Sequence, residues 1–340
     1  MSSRLPVRLE DVARAAGVST ATVSHALSGK GRIPETTRAR IREVAARMGY
    51  TPNAAARYLA GGRTGLIAVA FSLSDVLPVP LTDVDYFSKA IHAATARALE
   101  RDYALVVAPP TPQTAVWSRI PLDGVVVFDP VAGDRILAEL RARGVPLVLS
   151  GRDPAGGDDY CVDNDHIAGT RTVLDHLAER GARRVALLAG EPDDAFNADC
   201  LAAYRGWCAA RGAEELAQTA PMGHMAEVEW PERLLARSEP PDAIYANDEV
   251  LGIATLRAAE RRGLRVPGDL LLAVAADREP GEASVALTTL ELDPTRTAAE
   301  AVDMLVDLIE GRPPPERMRL IPTRLVVRES TCGAGATTPP

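Results

Sequence analysis

The charged side chains of this 340-residue sequence are unevenly placed, and that placement points to a chemistry. Residues 1–63 carry eleven Lys and Arg against four Asp and Glu, a net charge of +7, while the remainder carries 27 against 42, a net charge of -15. A small basic head on an acidic body is suited to docking on phosphates through the head alone. The overall charge of -8 conceals the division.

Other chemistries lack their residues. Cys161, Cys200, Cys208 and Cys332 form no close Cys-x-x-Cys pair and read as reduced thiols, and none of the five histidines has metal-ligand spacing such as His-Glu-x-x-His. No metal and no cofactor is expected. The sequence has no Gly-x-Gly-x-x-Gly fingerprint, no Gly-x-Ser-x-Gly elbow and no Walker loop, and the nearest phrase, SGKGRIPET, lacks the required spacing. An enzyme is therefore not expected. The hydrophobic fraction of 46% and charged fraction of 25% are those of a folded soluble protein. No apolar run reaches the roughly 18 residues that span a bilayer, and the opening MSSRLPVRLEDVARAAG has no signal-peptide core. A cytoplasmic protein with no membrane partner is the expectation.

The elements that must position the basic residues follow from apolar spacing. Leu9, Val12, Ala13 and Ala16 recur at helical intervals until Gly17 stops the helix. Ser19 is placed to cap a second short helix whose inner face carries Val23 and Leu27, while Thr20, Ala21, Ser24 and His25 point elsewhere. Two helices across so tight a turn read as helix-turn-helix. Pro34 and Glu35 open a third helix striped by Ile41, Val44, Ala45 and Met48, and Gly49 closes it. Pro52 and Asn53 then start an alanine-rich segment ended by Gly61 and Gly62, a helix too short to be stable alone in water.

After Gly65 short apolar runs alternate with longer helical stretches. Candidate strands are 66–71, 104–108, 124–128, 146–149, 185–189, 243–245 and 270–274; candidate helices lie near 85–101, 133–143, 166–180, 198–211, 248–262 and 294–310. The alternation predicts an α/β body of parallel sheets flanked by helices, and roughly 270 residues of it exceed one sheet, so two lobes are expected. The Gly, Ala, Thr and Pro rich tail from Thr331 is expected to be disordered.

The run VARAAGVSTATVSHALSGKGRIPETTRARIREVAARMGYTPNAAARYLAGGRTGLIAV resembles the headpiece, hinge and first core strand of the LacI/GalR family. The likeness continues through LDGVVVF, VPLVLSG, VDNDHIAG, HLAERGARRVALLAG, ANDEVLG, GLRVPGDLLLAVAAD, LTTL and DLIEGRPPPER to LVVREST. It implies an N-terminal helix-turn-helix headpiece (1–50), a hinge (51–63) and a two-lobed periplasmic-binding-protein-like core (64–330), with residues 331–340 as tail. Lobe 1 would take about 64–164 and 293–322, and lobe 2 about 165–290 and 323–330, with crossings near Asp163–Asp165, Leu290–Leu292 and Pro322.

The resemblance also assigns residues. The second helix enters the major groove, with Thr20, Ala21 and His25 reading bases: Thr and His by hydrogen bonds, Ala by a methyl contact. Ser19, Thr22, Ser24, Asn53 and Arg57 would meet phosphates or position the headpiece, and Leu59 would wedge into the minor groove. Arg8 stands where the family usually caps its first helix with Thr or Ser, so more fraying is expected there. Effector positions fall on Tyr86, Phe87, Asp199, Cys200, Asn247, Asp248 and Asp277. Cys200 occupies the place where many members carry an Arg, and Leu292 a place where many carry Gln, which argues against an anionic effector and for a donor-rich one. The expected function is a sequence-specific DNA-binding regulator, a repressor binding a near-palindromic operator as a homodimer. Its partners would be double-stranded operator DNA and a small-molecule effector, a sugar or other polar metabolite. The alternative is the same regulator with a core that dimerises and senses nothing.

Overall fold

The computed structural model describes residues 7–28, 31–50, 63–72, 84–108, 117, 119–221, 224, 227, 229–277, 281 and 283–332. The chain divides into two compact units, residues 1–65 and 66–340. In the first, α1 (Leu9–Ala16), α2 (Thr20–Ser28) and α3 (Glu35–Met48) pack on one another. Val12, Val23 and Ile41 are wholly enclosed among Ala13, Ala16, Ala26, Val44 and Ala45. Burying each Val or Ile side chain contributes roughly 1.5–3 kcal/mol, so these few residues carry much of this small unit's stability. Gly17 takes the left-handed conformation at φ 66°, which lets the Val18 amide bond back to the Ala13 carbonyl at 3.1 Å and turns the chain into α2. The start of α1 is closed despite Arg8, because the Asp11 carboxylate accepts the Arg8 amide at 3.0 Å.

The second unit is built on two six-stranded sheets. Lobe 1 has the order β11-β5-β4-β3-β1-β2, all parallel, from β1 (Leu66–Phe71), β2 (Ala104–Val107), β3 (Gly124–Phe128), β4 (Leu147–Ser150), β5 (Tyr160–Asn164) and β11 (Met318–Ile321). Lobe 2 has the order β12-β10-β9-β8-β6-β7, from β6 (Val185–Gly190), β7 (Ala217–Ala220), β8 (Ala243–Ala246), β9 (Leu271–Ala275), β10 (Thr288–Glu291) and β12 (Arg324–Val326), with only β12 antiparallel. Helices cover both faces: α4 (Asp85–Glu100), α5 (Arg135–Ala142) and α10 (Pro294–Ile309) in lobe 1, and α6 (His166–Glu179), α7 (Ala195–Arg211), α8 (Glu229–Leu235) and α9 (Glu249–Arg261) in lobe 2. The inner strands are apolar on both faces, as a covered parallel sheet requires. Ala90, Ala94 and Ala98 of α4 meet Ala298, Ala301 and Val302 of α10, and Arg97 and Arg101 clasp Asp303 and Asp307 along the same helix pair.

Apolar spacing did not foresee β5, β7, β10, β11, β12 or α8. β7 and β11 are edge strands with polar or exposed residues, β12 has three residues, and β5 and β10 carry Asp163, Asn164, Thr288 and Thr289 inside the protein. The tail also begins later than expected. Thr331 is wholly buried in a 3-10 turn (Glu329–Thr331), where its hydroxyl meets His176 Nε2 at 2.8 Å and Thr288 Oγ1 at 2.7 Å, while Ser330 donates to the Leu272 carbonyl at 2.6 Å. Residues 333–340 lie outside the described set.

The chain passes between the lobes after β5, after β10 and between β11 and β12, and one buried amide joins all three passages. Asn164 Nδ2 donates to the Leu292 carbonyl at 2.6 Å and to the Ile321 carbonyl at 3.4 Å. Beside it Gly169 lets the passages pack, since a Cβ there would lie 2.5 Å from Thr323 Oγ1. Replacing Asn164 by Ala leaves two buried carbonyls without that donor. We expect Asn164→Ala to lower core stability by about 1–3 kcal/mol in urea unfolding, and an unchanged midpoint would remove Asn164 from this role.

Candidate nucleic-acid interface and interlobe cleft

On α2, Thr20, Ala21, Ser24 and His25 are exposed side by side, while Val23 and Ala26 on the opposite side are buried. Ser19 is spent at the helix start: its hydroxyl accepts the Thr22 amide at 3.1 Å and shares a hydrogen with Thr22 Oγ1 at 2.8 Å. The His25 ring lies over Gly31, where a Cβ would come within 3.1 Å of its Nδ1. Arg38 holds the face from behind, donating to the Ala26 carbonyl at 3.3 Å and pairing with Glu35 at 3.4 Å. Being buried and basic it gave no apolar signal in the sequence. The arrangement offers a short polar row of the size that a major groove admits. Asn53, Arg57 and Leu59 lie outside the described residues.

In the core, the carboxyl ends of both sheets meet, which is where parallel α/β folds bind ligands. The lobes touch at several points: the Ala132 amide donates to the Asp193 carbonyl at 2.8 Å, Lys89 Nζ to the Asp277 carbonyl at 2.9 Å, and Arg152 of lobe 1 pairs with Asp199 of lobe 2. Tyr86 packs against the apolar clusters of both lobes. Burial, then the charges of Asp129 and Asp163 in lobe 1 and Asp277 and Asp194 in lobe 2, hold its hydroxyl pKa well above the usual value.

The other expected positions are divided. Phe87 belongs to the lobe 1 core, edge-on to Phe71 at 5.3 Å between ring centroids, and Cys200 is fully enclosed and accepts the Thr170 hydroxyl at 3.3 Å. Burial pushes the Cys200 thiol up to about 12. Both are corrections to the expected cleft lining, because helix packing takes each side chain into the interior. Asp248 caps α9, accepting the Val250 amide at 2.7 Å. Asp277 accepts the Leu292 and Asp293 amides at 2.8 and 3.0 Å, yet burial raises its carboxyl to about 6. Asn247, buried, donates to Asn197 Oδ1 at 2.9 Å.

Several residues at the cleft escaped sequence reading. Arg152 donates to Asp163 at 2.9 Å while reaching Asp199, and His166 Nε2 lies 3.0 Å from the other Asp163 oxygen. Burial opposes ionisation of Asp163, but His166 and Arg152 outweigh it and hold the pKa below the usual value. Arg152 and Asp199 also wall a cavity of about 400 Å³ with Asp153, Asp159, Cys161 and Arg317. Asn197 is the hub of lobe 2: its Oδ1 accepts Asn247 and the Gly190 amide, and its Nδ2 donates to Asp194 at 2.7 Å. Asp129 directly follows β3 and Ser150 ends β4. A polar residue just past the carboxyl end of a predicted parallel strand was the available signal for Asp129 and Ser150.

Asn197→Ala would strand the Asn247 amide and the Gly190 N–H in the interior and take one of two donors from Asp194. The expected loss is about 2–4 kcal/mol in denaturant unfolding, larger than for a surface Asn, and a loss below that of a surface control would contradict the hub role.

Among the described residues no group of His, Cys, Asp or Glu is arranged to hold a metal ion, and no helix is long and apolar enough to cross a membrane. Residues 8–53 match the bacterial regulatory proteins of the lacI family, and residues 174–331 match the periplasmic binding protein-like domain. The chain is 29% identical over 344 residues to the transcriptional regulator CelR of Thermobifida fusca, covering 97% of this chain and 100% of CelR. It is 27% identical over 346 residues to the repressor PurR of Proteus mirabilis, covering 95% and 96% respectively. In structure it is similar to a CelR–cellobiose complex (27% identity, TM-score 0.71, 95% of this chain and 99% of that one). It shares the fold of a lac repressor dimer bound to operator and the anti-inducer ONPF (24% identity, TM-score 0.76, 96% and 99%). Head, core and full-length relatives agree: the chain belongs to the LacI family, a DNA-binding transcriptional regulator and not an enzyme.

Proposed function

We propose that this regulator is a repressor that binds a near-palindromic operator as a homodimer and is controlled by a small polar effector held between the lobes of its core. The observation that carries the DNA half is the exposed row of Thr20, Ala21, Ser24 and His25 on a helix whose other side is buried. Thr20, Ala21 and His25 read bases, and Ser19, Thr22, Ser24, Asn53 and Arg57 set the register on the backbone. A twofold protein matches a twofold site, and one headpiece alone spans too few base pairs for specificity. The lac repressor neighbour is described as an operator-bound dimer. Its working place is the cytoplasm, where the DNA is.

The effector half is supported by the polar groups gathered at the lobe junction, of which Tyr86, Asn247 and Asp277 are the proposed contacts. Asp199 and Asp248 support them through their own partners. The CelR neighbour holds cellobiose. Coupling runs through residues 51–63, with Leu59 as the minor-groove wedge, because that stretch is the covalent connection between headpiece and core.

Binding should be strongly salt-dependent although the whole chain is acidic, since the +7 head meets the phosphates. After selection of bound DNA from a random pool, His25→Ala should lose preference at one base pair of each half-site, at a cost of about 1–3 kcal/mol. Arg57→Ala should instead weaken all sequences alike. Unaltered preference in the His25 variant would take His25 out of the reading set. Leu59→Gly should cost operator binding about 2 kcal/mol or more and spare random DNA; equal weakening of both would reduce the hinge to a tether.

A further inference from the structure

Where the cleft's charges are paired, the pairing is complete. Arg152 is shared by Asp163 and Asp199, and Lys89 is held by Asp85 at 2.7 Å and by the Asp277 carbonyl. Asp129 is different. Among the described residues no donor and no cation reaches its carboxylate, although the residue directly follows β3 at the lobe junction and Val131, two positions on, bridges Asp194 of lobe 2. Its backbone is also held at φ 48°, a left-handed conformation that non-glycine residues seldom adopt and that clusters at functional sites.

A second observation points the same way. Ser150 Oγ and His166 Nδ1 have no hydrogen-bond partner among the described residues, although Ser150 is 1% and His166 6% exposed. Ser150 is the last residue of β4, beside Asp129, whose amide donates to the Ser150 carbonyl at 2.8 Å, and His166 lies on the Phe196 ring with its other nitrogen on Asp163. Enclosed polar atoms without partners cost stability unless something fills the site. Asn247 Oδ1, also partnerless and 1% exposed, adds an acceptor in lobe 2.

We propose that the effector carries a cationic nitrogen, an ammonium group that pairs with Asp129 at the lobe junction. This rests on the cleft being the effector site. A neutral hydroxyl would give Asp129 a hydrogen bond but no counter-charge, whereas the cations of the cleft are already committed to other carboxylates. An ammonium would do for Asp129, with Asp194 and Asp163 nearby, what Arg152 does for Asp163 and Asp199. The remaining hydroxyls of such a ligand would meet Ser150, His166 and Asn247.

Two β-1,4 disaccharides of the same outline test it, cellobiose and the disaccharide of glucosamine, titrated calorimetrically into the full-length protein at neutral pH. The diamine is expected to bind at least about tenfold more tightly than cellobiose, and Asp129→Asn is expected to erase that ratio. Asn keeps the side-chain shape and tolerates the left-handed backbone. The free protein supplies a second readout. Burial, then Asp194 and Asp163, raise the Asp129 pKa well above the usual value, so the wild type loses stability as pH rises through that raised value. The Asn variant lacks this loss and should gain melting temperature over the wild type as pH increases. If cellobiose binds as well as the diamine, or the ratio survives Asp129→Asn, the cation falls while the cleft stands. If neither disaccharide binds, the inference is overturned and the sugar-sized effector with it.

Discussion

The core depends on one amide in one place. Asn164 sits where three passages of chain run between two sheets, and its side chain ties the first passage to the carbonyls of the other two. The ladders joining β5 to β11 and β10 to β12 end at this junction, so a side chain must reach across in a buried setting where an unpaired carbonyl is costly. Everything that a two-lobed sensor requires is arranged around that knot. The neighbouring residue, Asp163, carries the charge at the same junction, and Arg152 extends from it to lobe 2.

That geometry divides the labour between sheet and sheet end. Within the strands, side chains such as Val125, Val126, Val127, Leu187 and Leu188 are fully buried and do nothing but pack. At the carboxyl ends, within the last two residues of a strand or the first two beyond it, the character changes to Asp129, Ser150, Asp163, Asn247 and Asp277. The apolar interior makes these ends rigid, and rigidity is what allows partly unsatisfied polar groups to persist at the junction instead of collapsing onto one another. The residue at position 200 fits the same arrangement. Cys200 closes a helix contact with Thr170, and the guanidinium of the region comes from Arg152 in the opposite lobe.

The headpiece solves a smaller problem with fewer residues. Its interior is a handful of Val, Ile and Ala side chains, so the exposed face of α2 is left to mostly polar residues. Arg38 is the exception, a buried charge that fastens α3 to the end of α2 through the Ala26 carbonyl. A base-reading helix needs that support because its own contacts face outward.

The sequence by itself determined the helix-turn-helix, the six long core helices, the apolar strands and the division of charge, because apolar periodicity and net charge are local properties of the chain. Through its family resemblance it also singled out Asp277 and Asn247. It did not disclose β5, β10 or the edge strands, whose Asp163, Asn164 and Thr288 break the apolar pattern for reasons that exist only once distant segments are brought together. Nor did it separate Tyr86, which meets both lobes, from Phe87 beside it, which turns into the lobe 1 core. Only the tertiary structure decided that Arg152 pairs with Asp163 and Asp199 while the Asp129 carboxylate has no partner among the described residues. Pairing and burial are relations between residues far apart in the chain, and spacing along the chain carries no record of them.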